Sequence, residues 1–172
     1  HDLMLHPITP SALGGVEDEF IFAPRIDNQA SCYTALEGLL SADLGEPTAM
    51  IALFDHEECG SGSAHGGDGA LIEHVLRRIV ARHKVPTEGG FERAAANSYM
   101  ISADMAHGVH PNYSAYHDGH HKPLLGGGPV IKTHTNQRYA TDGETAARFR
   151  SACADLDIPV QEFAIRTDLR CG

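Results

Sequence analysis

The sequence predicts an α/β fold, a three-layer α/β/α sandwich built around a largely parallel, mixed central sheet. Three observations predict it. Short apolar runs of strand length are bounded by Gly, Pro, Asp and Asn. These runs alternate with longer stretches carrying helical periodicity. Acidic residues recur just after the apolar runs, where open α/β sheets bind ligands.

Residues 3–15 read as an irregular entry segment broken by Pro7 and Pro10. Residues 19–23 form a first strand that stops at Pro24-Arg25-Ile26-Asp27-Asn28. Residues 29–42 follow as a helix with Cys32, Leu36, Leu39 and Leu40 on one face, closed by Gly45 and Pro47. A second strand, 48–54, runs into Asp55-His56-Glu57-Glu58 and then a loop of small residues, 60–69. Residues 71–85 read as a helix with Leu71, Val75, Leu76, Ile79 and Val80 inward and Arg77, Arg78 and Arg82 outward. After Gly89-Gly90 a third strand, 98–103, ends in Asp104. The loop 105–128 is long enough to suspect function. A strand at 129–133, a helix at 143–156 and a last strand at 158–165 complete the pattern.

The chain of 172 residues is long enough for one domain with its own core. A formal net charge of -10 argues against a nucleic-acid or anionic-membrane partner. Four cysteines (Cys32, Cys59, Cys153, Cys171) without a C-x-x-C pair read as reduced thiols of a cytoplasmic protein. No apolar run reaches the ~18 residues of a membrane span, and no signal peptide is visible. The expectation is a single domain over 1–172 that is part of something longer.

Carboxylates as close as Asp55, Glu57 and Glu58 repel one another unless a cation lies between them. Adjacent glutamates can divide hydrolytic work, one ligating a Lewis-acid metal and the other taking a proton from the attacking water. Taken singly, Asp27 reads as a helix cap and Asp104 as a turn residue. Their recurrence at strand ends favours a metal site instead. His117, His120 and His121 carry a weaker possibility of a separate site, with solvated loop residues the better reading. Gly126-Gly127-Gly128 lacks the context of a phosphate loop.

Six segments, in this order, carry a resemblance: Ala23-Pro24-Arg25-Ile26-Asp27-Asn28, Phe54-Asp55-His56-Glu57-Glu58-Cys59-Gly60-Ser61, Ser102-Ala103-Asp104-Met105-Ala106-His107, His110-Pro111-Asn112-Tyr113, Gly128-Pro129-Val130-Ile131-Lys132 and Gln137-Arg138-Tyr139-Ala140. Together they resemble the aspartyl aminopeptidase family, co-catalytic zinc exopeptidases that remove N-terminal acidic residues from peptides. The resemblance implies two Zn2+ ions per active site, with Mn2+ or Co2+ as alternative metals. By it, Asp27 bridges the metals, Glu57 is the general base, Glu58 ligates one ion and Asp104 the other. Lys132 would contact the acidic side chain of the substrate, with His121 and His107 nearby. A homo-oligomer is implied as well. The family's two histidine ligands and its dimerisation domain have no counterpart in these residues. Cys59 stands where Val is usual and Arg170 where Pro is usual. Two other classes stay open: a non-catalytic assembly subunit with an incomplete metal site, and a metal-dependent phosphohydrolase with Lys132 meeting a phosphoryl oxygen.

Overall fold

A computed structural model describes residues 3–83, 88–164 and 167–169. The chain divides into two compact units: His1–Val85 with Ser102–Met105, and Pro86–Ile101 with Ala106–Gly172. The mixed α/β class holds. Among the described residues the sheet is present as two two-stranded pieces, one antiparallel and one parallel.

In the first unit, β1 (Ala12–Gly14) pairs antiparallel with β2 (Phe20–Phe22), with Leu13 opposite Ile21. The strand β1 lies inside the stretch expected to be irregular. Its signal is weakened in sequence by Gly14, beside which the Phe22 ring packs, 2.7 Å from where a Cβ would stand. Helix α1 (Ile26–Ser41) begins three residues earlier than expected. No residue of it is fully buried: Leu36 and Leu40 are exposed, while Cys32, Ala35 and Leu39 are half-buried. Cys32, Ala35 and Leu39 fall at helical spacing and form its partly covered stripe, and Leu36 and Leu40 lie outside it. Helix α2 (Leu71–Arg82) is sharply amphipathic, turning Ile72, Leu76, Ile79 and Val80 inward, while Leu71 and Val75 are exposed. The expected end of that helix, Lys84 and Val85, lies outside the described residues.

The runs 48–54 and 98–103, expected as strands, belong to no ladder. A strand is a property of two segments, and side-chain pattern reports only one of them. Leu53 and Met100 are 60% and 68% exposed, so these runs present apolar surface that no neighbouring strand covers among the described residues.

In the second unit, a short helix α3 (Gly90–Ala96) starts where Gly89-Gly90 suggested an interruption. Gly89 adopts φ 64, a left-handed conformation that suits glycine, and the helix opens directly after it. Strands β3 (Val130–Thr133) and β4 (Gln161–Ala164) pair in parallel, joined by helix α4 (Gly143–Ala154). This is the crossover that parallel pairing demands. Helix α4 is opened by Asp142, whose carboxylate accepts the Thr145 N–H at 2.8 Å while Thr145 Oγ1 accepts the Asp142 N–H at 2.9 Å. Phe163 of β4 is fully buried, and Ile131, Ala146 and Cys153 are the other buried apolar residues of this unit among those described. The expected end of the last strand at Ile165 lies outside the described residues, as does Arg170.

The long loop 105–128 is ordered by its own contacts. It contains a 3-10 helix, Pro111–Tyr116. The Gln161 side chain accepts the Leu124 N–H at 2.8 Å and donates to the Leu124 and Gly128 carbonyls. One half-buried amide thus fastens the glycine run to the start of β4.

Candidate functional site

Asp27 sits at a kink in the first turn of α1. Asp27 and Asn28 both leave helical geometry there, and Arg25 ahead of them takes φ 60. The kink turns the Asn28 side chain outward from the helix, and its amide donates to the Ala103 carbonyl at 2.8 Å. Ala103 precedes Asp104. Two acidic segments far apart in sequence are thereby tied together within the first unit. Asp27 is therefore a first-turn residue rather than the cap, since the cap position is Arg25.

Glu57 and Glu58 are presented on a tight turn. The Gly60 N–H donates to the Glu57 carbonyl at 2.8 Å and the Ser61 N–H to the His56 carbonyl at 2.9 Å. His56, Gly60 and Ser61 all take positive φ. The loop folds back on itself: the Asp55 N–H reaches the His65 carbonyl, and the Asp68 N–H reaches the Ser61 carbonyl. Gly66 is buried against Ser61, whose carbonyl oxygen would lie 2.0 Å from any Cβ, so only glycine fits. His56 supports the turn from within, its Nδ1 bonded to Ser63 Oγ at 2.5 Å. The Cys59 thiol donates to the His56 carbonyl at 3.4 Å. Both glutamates are exposed on this framework. Asp55 and His56 serve the loop's structure.

Among the described residues, no group of three or more His, Cys, Asp or Glu side chains is arranged to hold a metal ion. The donors offered by Asp27, Glu58 and Asp104 fit zinc in kind, because carboxylate oxygens are ordinary zinc ligands. Three carboxylates alone are an incomplete set, since zinc sites normally draw on nitrogen or sulfur as well. The separate site at His117, His120 and His121 is likewise not formed.

The second unit holds the residues expected to meet substrate. Lys132 lies on β3 opposite Phe163, with its Nζ 5.8 Å from the centre of the Tyr139 ring. His121 bonds through Nδ1 to Asp118 at 2.6 Å, and its Nε2 lies 3.5 Å from Glu162, which also pairs with Arg150. Glu162 is in register with Ile131 and Lys132 with Phe163, so Glu162 and Lys132 leave the sheet on opposite faces. The His120 N–H and the His121 ring hold the Asp118 carboxyl below the usual carboxylate range. His107 is exposed. Burial, then the charges of His107 and Lys122, push the His117 imidazole below its ordinary value. Sequence reasoning did not single out Asn28, Gln161 or His134. An Asp-x-x-Thr cap is readable in residues 142–145, but the contacts of the other three depend on the fold.

The whole chain, residues 1–172, matches the profile of the aminopeptidase I zinc metalloproteases, M18. The chain belongs to that family. It is 47% identical over 172 residues to a probable M18 family aminopeptidase 2 of Pseudomonas aeruginosa (strain LESB58), covering 100% of this chain and 39% of the relative. A namesake from Ectopseudomonas mendocina (strain ymp) is 45% identical over the same span. Among solved structures, the M18 aminopeptidase of Thermotoga maritima matches with a TM-score of 0.79 at 28% identity, over 94% of this chain and 38% of that one. The cryo-EM complex of Ape4 and Nbr1 gives a TM-score of 0.82 at 35% identity, over 94% and 32%. The S. cerevisiae mApe1 dodecamer gives 0.78 at 28% identity, over 92% and 37%. This M18 chain thus spans about two-fifths of the length of the curated relatives it matches. No described helix is long and apolar enough to cross a membrane.

Proposed function

We propose that residues 1–172 form the metallopeptidase catalytic domain, or part of it, of a zinc aminopeptidase that removes Asp or Glu from peptide N-termini. The observation that carries the reading is the hydrogen bond joining the Asp27 and Asp104 segments, in the same compact unit as the glutamate turn. Asp27, Glu58 and Asp104 would hold zinc, Asp27 between two ions, with Mn2+ or Co2+ as alternative metals. The metal, when bound, polarises the scissile carbonyl and supplies charge to the developing oxyanion. Glu57 is the general base. It takes the proton of the attacking water and returns it to the leaving amine. Lys132 contacts the substrate's acidic side chain, a pairing its charge favours. His121, held by Asp118, and His107 would complete the substrate-binding residues.

The protein works as a homo-oligomer, a reading supported by the dodecamer of the yeast relative. Its compartment is the cytoplasm, supported by the free thiols of Cys32, Cys59 and Cys153. Cleavage of Asp-, Glu- and Leu-anilides by the full-length protein, beside a phosphate ester, tests the whole reading. Faster turnover of the acidic anilides supports it. Preference for Leu-anilide, or for the phosphate ester, overturns it.

A further inference from the structure

We propose that His134 positions Tyr139, and through it the Lys132 ammonium, for recognition of the substrate's acidic side chain. The proposal rests on the reading of Lys132 given above. His134 follows β3 directly and is 6% exposed. Its Nδ1 accepts the Asn136 N–H at 3.1 Å, which places the ring proton on Nε2. That Nε2 is buried and has no hydrogen-bond partner among the described residues. A buried donor left unmatched is a cost to folding, and an Asn or Ser at this place could hold the turn without it. The ring's remaining contact is aromatic.

What it meets is Tyr139, edge to face at 6.1 Å between centroids and 87° between planes. Lys132 Nζ stands 5.8 Å from the centre of the same ring. The path between them is short and well defined. The Gln137 N–H closes on the His134 carbonyl at 2.9 Å, and Gln137 takes φ 52, so the chain reverses just after His134. The reversal brings Tyr139 back beside the end of β3. Lys132 on β3 and His134 just past its end both approach the Tyr139 ring. The imidazole thus acts as a wall that fixes the phenol ring, and the ring fixes the ammonium. His134 touches no substrate in this arrangement. It is a positioning residue.

The test uses the full-length protein, with kcat and KM measured for Asp-anilide and Leu-anilide. His134→Asn keeps an acceptor for the Asn136 N–H and removes the ring. His134→Phe keeps a ring against Tyr139 and removes the acceptor. His134→Asn is expected to raise KM for Asp-anilide about three- to tenfold, the range of an aromatic–ammonium contact, with kcat within about twofold. KM for Leu-anilide stays unchanged, and His134→Phe restores the wild-type ratio of the two KM values. Equal changes for both anilides, or no change with His134→Asn while Lys132→Met abolishes the acidic preference, overturn the proposal. If Lys132→Met leaves that preference intact, the reading of Lys132 fails and the proposal falls with it.

Discussion

The side-chain amide of Asn28 donates a 2.8 Å hydrogen bond to the carbonyl of Ala103, which immediately precedes Asp104 in the chain. The contact couples the residue after Asp27 to the residue before Asp104. A change at Asn28 is therefore felt by both proposed metal ligands at once. Asn28→Ala removes the bond at a cost of about 1 kcal/mol. The loss is softened because the buried Asn28 Oδ1, which has no hydrogen-bond partner among the described residues, leaves with it. We expect a modest fall in the urea midpoint and a larger fall in zinc retained after dialysis. Unchanged zinc content would show that the bond does not position the ligands.

Glu57 and Glu58 are adjacent but are expected to answer mutation differently. Glu57→Gln keeps the backbone bonds of the turn, which run through the Glu57 and His56 carbonyls. It removes the proposed base, and a positioned base contributes roughly 10²–10⁴-fold to rate. Turnover should fall by that factor with zinc content retained. Glu58→Gln should lower zinc content as well. A Glu57→Gln enzyme that hydrolyses at the normal rate would sink the assignment.

Phe163 offers a test of the second unit's packing alone. It is fully buried and lies opposite Lys132 in the parallel pair, with His117 edge-on at 5.5 Å. Phe163→Ala should destabilise by roughly 3–5 kcal/mol, the range for a buried aromatic replaced by alanine. Denaturant titration followed by tyrosine fluorescence measures it. A loss below about 1 kcal/mol would mean that this core is not the one holding β3 and β4 together.

Element type was legible in the sequence wherever one segment's own pattern decides it. Helices α2 and α4 are amphipathic or capped by nearby residues, and they appear within two or three residues of expectation. Strands are different, because the partner is remote. The runs at 48–54 and 98–103 have strand composition yet lie in no ladder, while β1 has weak composition and is laddered to β2. Short α3 was hidden behind a glycine pair that read as a break but starts the helix. Of the candidate site, the acids were readable because their spacing after apolar runs is local. The roles of Asn28 and His134 were not, since each depends on what the fold brings beside it.

The pH response of the second unit should turn on His117. Its ring is edge-on to Phe163, and its Nδ1 is buried without a hydrogen-bond partner among the described residues. Burial is the main reason its affinity for a proton is low, and the charges of His107 and Lys122 add to it. The unfolded chain, with imidazoles near the ordinary value of about 6.5, therefore binds a proton more readily than the folded one. Stability is full above that value and is lost as pH falls from it towards the depressed folded value. Replacing His117 with Gln removes the titrating group while keeping a polar side chain. The urea midpoint of the wild type should drop between about pH 7 and 5, and that drop should flatten in His117→Gln. An equally steep drop in the variant would assign the acid sensitivity to another group.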